Sequence, residues 1–152
     1  MLLAAAEAVA RAAALSGHGL TGTASIDWPS LMKRKRGFTG PVPESTESWM
    51  REMGIEVING TATFTAASTL AVDGRLLGGE NIVIATGAVP ADLAFDGGDL
   101  VATSEAFLDL DDLPSKIVFV GGGYISFEFA WLARRAGAEV AIVHRSKQVL
   151  KG

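Results

Sequence analysis

The chain has 152 residues, 49% hydrophobic and 20% charged, with a net charge of -4 and no cysteine. That composition fits a globular chain and argues against disorder, and the acidic balance gives no reason to expect nucleic acid as a partner. The absence of cysteine excludes disulfide staples, thiolate metal sites and a redox dithiol within these residues.

The elements read in chain order begin with an Ala- and Leu-rich stretch over residues 1–15. It has no basic leader, and Glu7 and Arg11 interrupt it at i,i+4 spacing. This favours a helix with one solvated face over an export signal. No run is long and apolar enough to span a bilayer, so the expected location is cytoplasmic, with no membrane partner. Asp27 is placed to cap a helix carrying Trp28 and Pro29 in its first turn and running toward Arg36. The basic run Lys33-Arg34-Lys35-Arg36 reads as a solvated face rather than a nuclear or nucleic-acid signal. Pro41-Val42-Pro43 is expected to break the pattern before a second helix from about Glu44 to Met53, ended by Gly54.

The middle is strand-like. Glu56-Val57-Ile58 is a short run, and 61–65 alternate. Residues 69–72 lead into Asp73-Gly74, a tight-hairpin signal, and 75–77 return. A small antiparallel meander is expected here. Ile82-Val83-Ile84-Ala85 reads as a fully buried strand stopped by Thr86-Gly87. A connector rich in Pro, Gly and Asp follows over 88–115, with a short helix starting at Thr103 or Ser104. The last part reads as strand 117–121, helix 124–136, a stop at Gly137 and strand 139–143.

The sequence Val120-Gly121-Gly122-Gly123-Tyr124-Ile125-Ser126 carries the chemistry. Gly121 allows a tight turn, Gly123 lets the backbone approach a pyrophosphate, and Ser126 is small enough for close helix–strand packing. The helix N-terminus then points free N–H groups and its positive end at the phosphates. A glycine fingerprint alone is weak. Here a strand precedes it, a helix follows, and a second strand comes at the right distance, which favours nucleotide binding over a merely structural turn. After that second strand an NAD-preferring site usually has an acidic residue. This chain has His144 and Arg145, with Lys147 and Lys151 nearby. Cations there suit the 2′-phosphate of NADP, so NADPH is expected over NADH; the alternative is ordinary solvated charge. No metal-ligand spacing and no Ser/His/Asp set stands out.

The order of apolar strand, Ala85-Thr86-Gly87-Ala88-Val89-Pro90, connector, and Val120 through Glu128 resembles the FAD-dependent pyridine nucleotide–disulfide oxidoreductases. The resemblance is to the glutathione reductase-like branch, with dihydrolipoamide dehydrogenase and mercuric reductase as relatives, and it covers nearly the whole chain. It implies an α/β, Rossmann-like FAD/NAD(P)-binding fold, present in part, with a small antiparallel meander. It implies a partial FAD-binding domain over 1–90, a connector over 91–114, and the first βαβ unit of an NAD(P)H-binding domain over 115–152. Ala85, Thr86 and Gly87 would lie against FAD, and Gly121, Gly123 and Ser126 would cradle the NADPH pyrophosphate. Tyr124 matches the aromatic residue that covers the flavin and swings aside for nicotinamide; otherwise it is a packed helix-start aromatic. Glu128 matches a carboxylate that pairs with a lysine beside the flavin; otherwise it is a solvated first-turn acid. Ile125 would pack near the nicotinamide or in the core. Arg145 and Lys151 match the 2′-phosphate cations, with a one-residue ambiguity over His144.

The departures are as informative. The family's first glycine fingerprint, its redox cysteine pair, its catalytic His and its dimerisation domain have no counterpart in these 152 residues. Full-length relatives are implied to be homodimers passing electrons from NADPH through FAD to a disulfide or related acceptor. The chain is therefore expected to be a segment of such an enzyme, inactive alone, poorly folded or associating, and binding FAD weakly or not at all. The other readings are a non-catalytic NADP-binding module and a structural remnant. Asp96 before Gly97 is a smaller departure, since relatives often have Pro there.

Overall fold

In the computed structural model, which describes residues 1–150, the elements run α1 (Leu2–Ala14), α2 (Trp28–Thr39), α3 (Val42–Glu52), β1 (Ala62–Ala66), β2 (Thr69–Val72), β3 (Arg75–Gly78), a single 3-10 turn (Gly98–Leu100), α4 (Ser104–Leu108), β4 (Lys116–Val120), α5 (Tyr124–Arg135) and β5 (Glu139–Val143). The chain divides into two compact units, Met1–Gly40 with Leu100–Gly152, and Pro41–Asp99.

The first unit is built on a parallel pair. β4 and β5 run side by side from Lys116 opposite Glu139 to Val120 opposite Val143, joined by α5. This is one βαβ step of a Rossmann-like α/β fold. Side chains alternate along both strands, so Ile117, Phe119, Val140 and Ile142 share one face and are half-buried. The other face is open, with Val118, Val120 and Val143 exposed. Both strands are nearly continuous apolar runs, the pattern of a sheet covered on both sides.

The core of this unit gathers Ala6 of α1, Trp28 and Met32 of α2, Phe107 of α4, and Leu132 and Ala133 of α5. α1 packs along α5. Phe107 is the hub. Its ring meets Trp28 edge-on at 5.7 Å and Phe119 edge-on at 5.7 Å, and stacks on Phe129 at 4.6 Å. The Trp28 indole N–H donates to the Leu110 carbonyl at 3.0 Å, giving the polar end of a buried indole the partner it needs. The N-terminus of α2 forms as its sequence predicts. Asp27 accepts from the Ser30 backbone N–H at 3.3 Å and from the Ser30 hydroxyl at 2.5 Å, and Pro29 sits in the first turn. The helix runs past Arg36 to Thr39. Two of its four basic residues are tied down: Lys35 Nζ lies 2.7 Å from Asp109 Oδ1, and Arg36 lies 2.5 Å from Asp111 Oδ1. α4 is capped by Thr103, whose hydroxyl oxygen accepts from the Ala106 N–H at 3.3 Å.

The second unit holds α3 and the meander. α3 begins at Val42, not at Glu44, because the proline at its first turn has no N–H to lose there and carries a helix-ready φ. It ends before Gly54, whose φ is +79°. β1 pairs antiparallel with β2, and β2 with β3. Asp73 and Gly74 have φ of +48° and +84°, the two-residue loop with both φ values positive that the Asp-Gly pair predicts. Arg75 reaches Glu56 at 2.8 Å.

Two expected strands are absent among the described residues. Residues 56–58 and 82–85 are irregular. Val83 is 87% and Ile84 70% exposed, so the run read as a buried strand is neither paired nor buried. A strand exists only through a ladder partner, and no described strand forms a ladder with either run. The strand expected at 117–121 is shifted by one residue to Lys116–Val120, with Gly121 left to the turn, and β5 falls at Glu139–Val143 as expected.

Candidate functional site

The site is the turn from β4 into α5. The Gly121 N–H donates to the Val143 carbonyl at 2.8 Å, which ties the turn to the end of β5. Gly121 has φ +120°, a conformation that side-chain-bearing residues rarely adopt. A Cβ placed on it would lie 3.7 Å from the Ser126 hydroxyl, an ordinary contact distance, so Ser126 lies close to the turn. Gly123 is the N-cap of α5, and no side chain caps the helix. A Cβ on Gly123 would meet nothing within 4 Å. The chain's own packing does not demand glycine there, which leaves ligand approach as a reason for it.

The helix start offers unclaimed backbone N–H groups and the positive end of a 12-residue helix, the geometry that binds a phosphate anion. The residues fit a pyridine nucleotide's pyrophosphate: a bare backbone approach at Gly123 and donors beyond it.

Tyr124 is 68% exposed, so it is not a packed helix-start aromatic. Ile125 is 40% exposed and outside the core cluster. Glu128 is exposed but lies beyond the first turn of α5, not in it as expected, and the pull of the helix dipole on it is weak. Glu128 instead borders a shallow groove between α1 and α5, lined by Leu3, Glu7, Phe127 and Trp131. The Arg135 guanidinium lies 6.0 Å from the Trp131 ring centre, at the outer limit of a cation–π contact.

Past β5 the chain folds back over the turn. The Leu150 N–H donates to the Gly122 carbonyl at 2.8 Å. The His144 ring is half-buried, and its Nε2 lies 2.7 Å from Ser146 Oγ and 3.0 Å from the Gln148 carbonyl. Arg145 and Lys147 are exposed, and among the described residues neither enters an ion pair. Lys151 lies outside the described residues.

Thus the structure gathers Gly121, Gly123, Tyr124, Ser126 and His144 around one turn, and leaves Glu128 further along α5 on the groove beside α1. Ala85, Thr86 and Gly87 belong to the second unit, in exposed irregular backbone. They build no enclosure of their own for a flavin. Gly122, Ser146 and Gln148 were not singled out by sequence. The fingerprint spacing points only to the first and third glycines, and nothing in the composition of 146–148 marks a hydrogen-bonded loop. Among the described residues no helix is long and apolar enough to cross a membrane.

Comparison with known proteins gives one consistent answer. Residues 4–152 match the family described as Pyridine nucleotide-disulphide oxidoreductase. The chain is 30% identical over 135 residues to a dihydrolipoyl dehydrogenase of Bacillus subtilis, covering 85% of this chain and 30% of that protein. It is 33% identical over 126 residues to the chloroplastic/mitochondrial glutathione reductase of Pisum sativum, covering 83% of this chain and 23% of that protein. It is 31% identical over 134 residues to a mercuric reductase of Staphylococcus aureus, covering 86% and 24%. The chain spans less than a third of the length of each of these three relatives. The match runs through both strands of the parallel pair and the glycine turn between them, and on that evidence the chain belongs to the pyridine nucleotide-disulphide oxidoreductase family.

Proposed function

We propose that this chain supplies the first half of an NADPH cradle, together with part of a flavin-binding domain, to an oxidoreductase that passes electrons from NADPH through FAD to a disulfide or related acceptor. The observation that carries the reading is the turn at Gly121–Gly123, with its open approach at Gly123 and an uncapped α5 behind it. Its residues bind and orient the nucleotide. Gly123 and the first N–H groups of α5 receive the pyrophosphate, and Ser126 supports the turn. Arg145, with Lys151, meets the 2′-phosphate, which sets NADPH above NADH. The bound nucleotide supplies the hydride. Tyr124, exposed at the head of α5, stands over the nicotinamide, and Ile125 packs beside it. Glu128 is the carboxylate that would pair with a lysine beside the flavin. The domain division is 1–90, 91–114 and 115–152, and the setting is cytoplasmic.

The residues expected against FAD, Ala85, Thr86 and Gly87, are exposed in this chain. Relatives named glutathione reductase and dihydrolipoyl dehydrogenase both match, so family membership alone leaves the choice of nucleotide open. Arg145 is what favours NADPH. The exposure of Val83 and Ile84 favours a second reading in which the chain holds NADP without redox work.

Titration with NADPH and NADH, followed by nucleotide fluorescence, tests the first reading. NADPH should bind more tightly, and Arg145→Glu should weaken NADPH while leaving NADH unchanged. Equal affinities, or an unaffected R145E, contradict it. Flavin absorbance in the purified protein separates the redox reading from the binding module.

A further inference from the structure

We propose that His144 is a positioning residue, a staple that closes the 144–150 segment onto the glycine turn, and not a ligand of the 2′-phosphate; this deepens the nucleotide-binding reading and rests on it. Three observations carry it. First, the ring lies directly on Gly122. A Cβ built there would come within 2.7 Å of both His144 Cγ and Nδ1 and 3.0 Å of Cδ2, so the imidazole occupies the space that any side chain at 122 would need. The absence of a Cβ at this middle glycine is thereby explained by a contact within the chain, where the outer two glycines answer to turn geometry and to ligand approach.

Second, the other end of the ring is already engaged. The Gln148 carbonyl only accepts, so Nε2 at 3.0 Å from it carries the proton and donates. The same N–H faces Ser146 Oγ at 2.7 Å, and that hydroxyl donates to the Gln148 carbonyl at 2.8 Å. That end of the ring is thus taken up by two oxygens of its own segment and is not offered to a phosphate. Third, the segment is fastened again at its far end, where the Leu150 N–H donates to the Gly122 carbonyl at 2.8 Å. Gly122 is thus held from both sides: the imidazole on its α carbon, the Leu150 amide on its oxygen. Arg145 and Lys147 sit on the stapled segment, exposed. His144 fixes where those cations stand and how the turn is shaped.

Gly122 and His144 are a coupled pair, because the ring fills the space a Cβ at 122 would need. Gly122→Ala should push the ring off the turn in the native background. In the His144→Ala background the same change has room and should do nothing further.

The test is a set of four proteins: native, H144A, G122A and the double variant, with His144→Asn as the conservative change that keeps a side-chain N–H. Amide hydrogen exchange at Leu150 is read without nucleotide, and dissociation constants are read for NADPH and NADH. The staple predicts that Leu150 exchange speeds at least tenfold in H144A and in G122A, with no further increase in the double variant, and that H144N restores part of the protection. It predicts that H144A weakens NADPH and NADH by a similar factor, about fivefold for the loss of one net hydrogen bond. Unchanged Leu150 exchange in H144A overturns the proposal, and so does a loss of NADPH affinity with NADH untouched, which would make His144 a phosphate ligand. If the native protein binds neither nucleotide, the nucleotide-binding reading has failed. The Leu150 exchange pattern then still decides whether the staple exists.

Discussion

Phe107 stacks on Phe129 with ring centroids 4.6 Å apart and planes 22° from parallel, which ties a five-residue helix of the connector to the helix that carries the glycine turn. Phe107 is buried and touches Trp28 and Phe119 as well. Truncation to alanine removes the one ring shared by α2, α4, β4 and α5. Phe107→Ala should therefore cost about 3–5 kcal/mol, measured by urea unfolding. A loss below 1 kcal/mol would mean that the cluster collapses around the gap.

The outer glycines separate fold from ligand. Gly121 needs a positive φ, so Gly121→Ala should destabilise the protein by about 1–3 kcal/mol. Gly123 is open, so Gly123→Ala should leave the melting temperature within about 1 °C, a stability change far below the roughly 1 kcal/mol that moves it by several degrees. It should still weaken NADPH at least tenfold by holding the pyrophosphate off the backbone. Unaltered NADPH affinity in G123A would remove ligand approach as the reason for that glycine.

Acid should loosen the attachment of α2 to the end of α4. The hydrogen bond from Lys35, then its charge, hold the Asp109 carboxyl below the ordinary carboxylate value. The Ser30 hydroxyl and backbone N–H do the same for Asp27. Both folded-state values are depressed. Their contribution is therefore fully present above the unfolded-state value of about 3.9 and is lost as pH falls through the lower folded value. Melting temperature followed from pH 6 down to 2 should fall less steeply in Asp109→Asn than in the native protein. Identical acid slopes would show that the exposed pair contributes nothing to stability.

The Trp28 indole tests the polar side of the core. Trp28→Phe keeps a ring against Phe107 but leaves the Leu110 carbonyl without its donor. The expected cost is about 1–3 kcal/mol, from a smaller ring and a partly buried unsatisfied acceptor. Equal stability of native protein and W28F would indicate that water replaces the indole.

Much of the last forty residues was legible because each local cue agrees with the others. The apolar run 117–120, the glycines, the helix period and Gly137 all describe one βαβ step, and the structure has it within a residue. The Asp73-Gly74 hairpin and the Asp27 cap were equally readable, since each is a short-range rule satisfied by neighbouring atoms. Residues 82–85 were not. Their apolar run expresses a demand for burial and for partners on both sides, which the described chain does not meet. The His144–Gly122 contact was hidden for a different reason. It joins positions 22 apart in sequence through a loop whose course depends on Ser146 and Gln148, and neither residue type announces that role.

Nucleotide binding by this chain requires α5's first N–H groups to receive the pyrophosphate. The direct measurement is the amide spectrum of the protein with and without NADPH. The amides of Gly123, Tyr124, Ile125 and Ser126 should move most, in a saturable way and with the same midpoint. Saturable binding that leaves those four amides in place while others shift would contradict it.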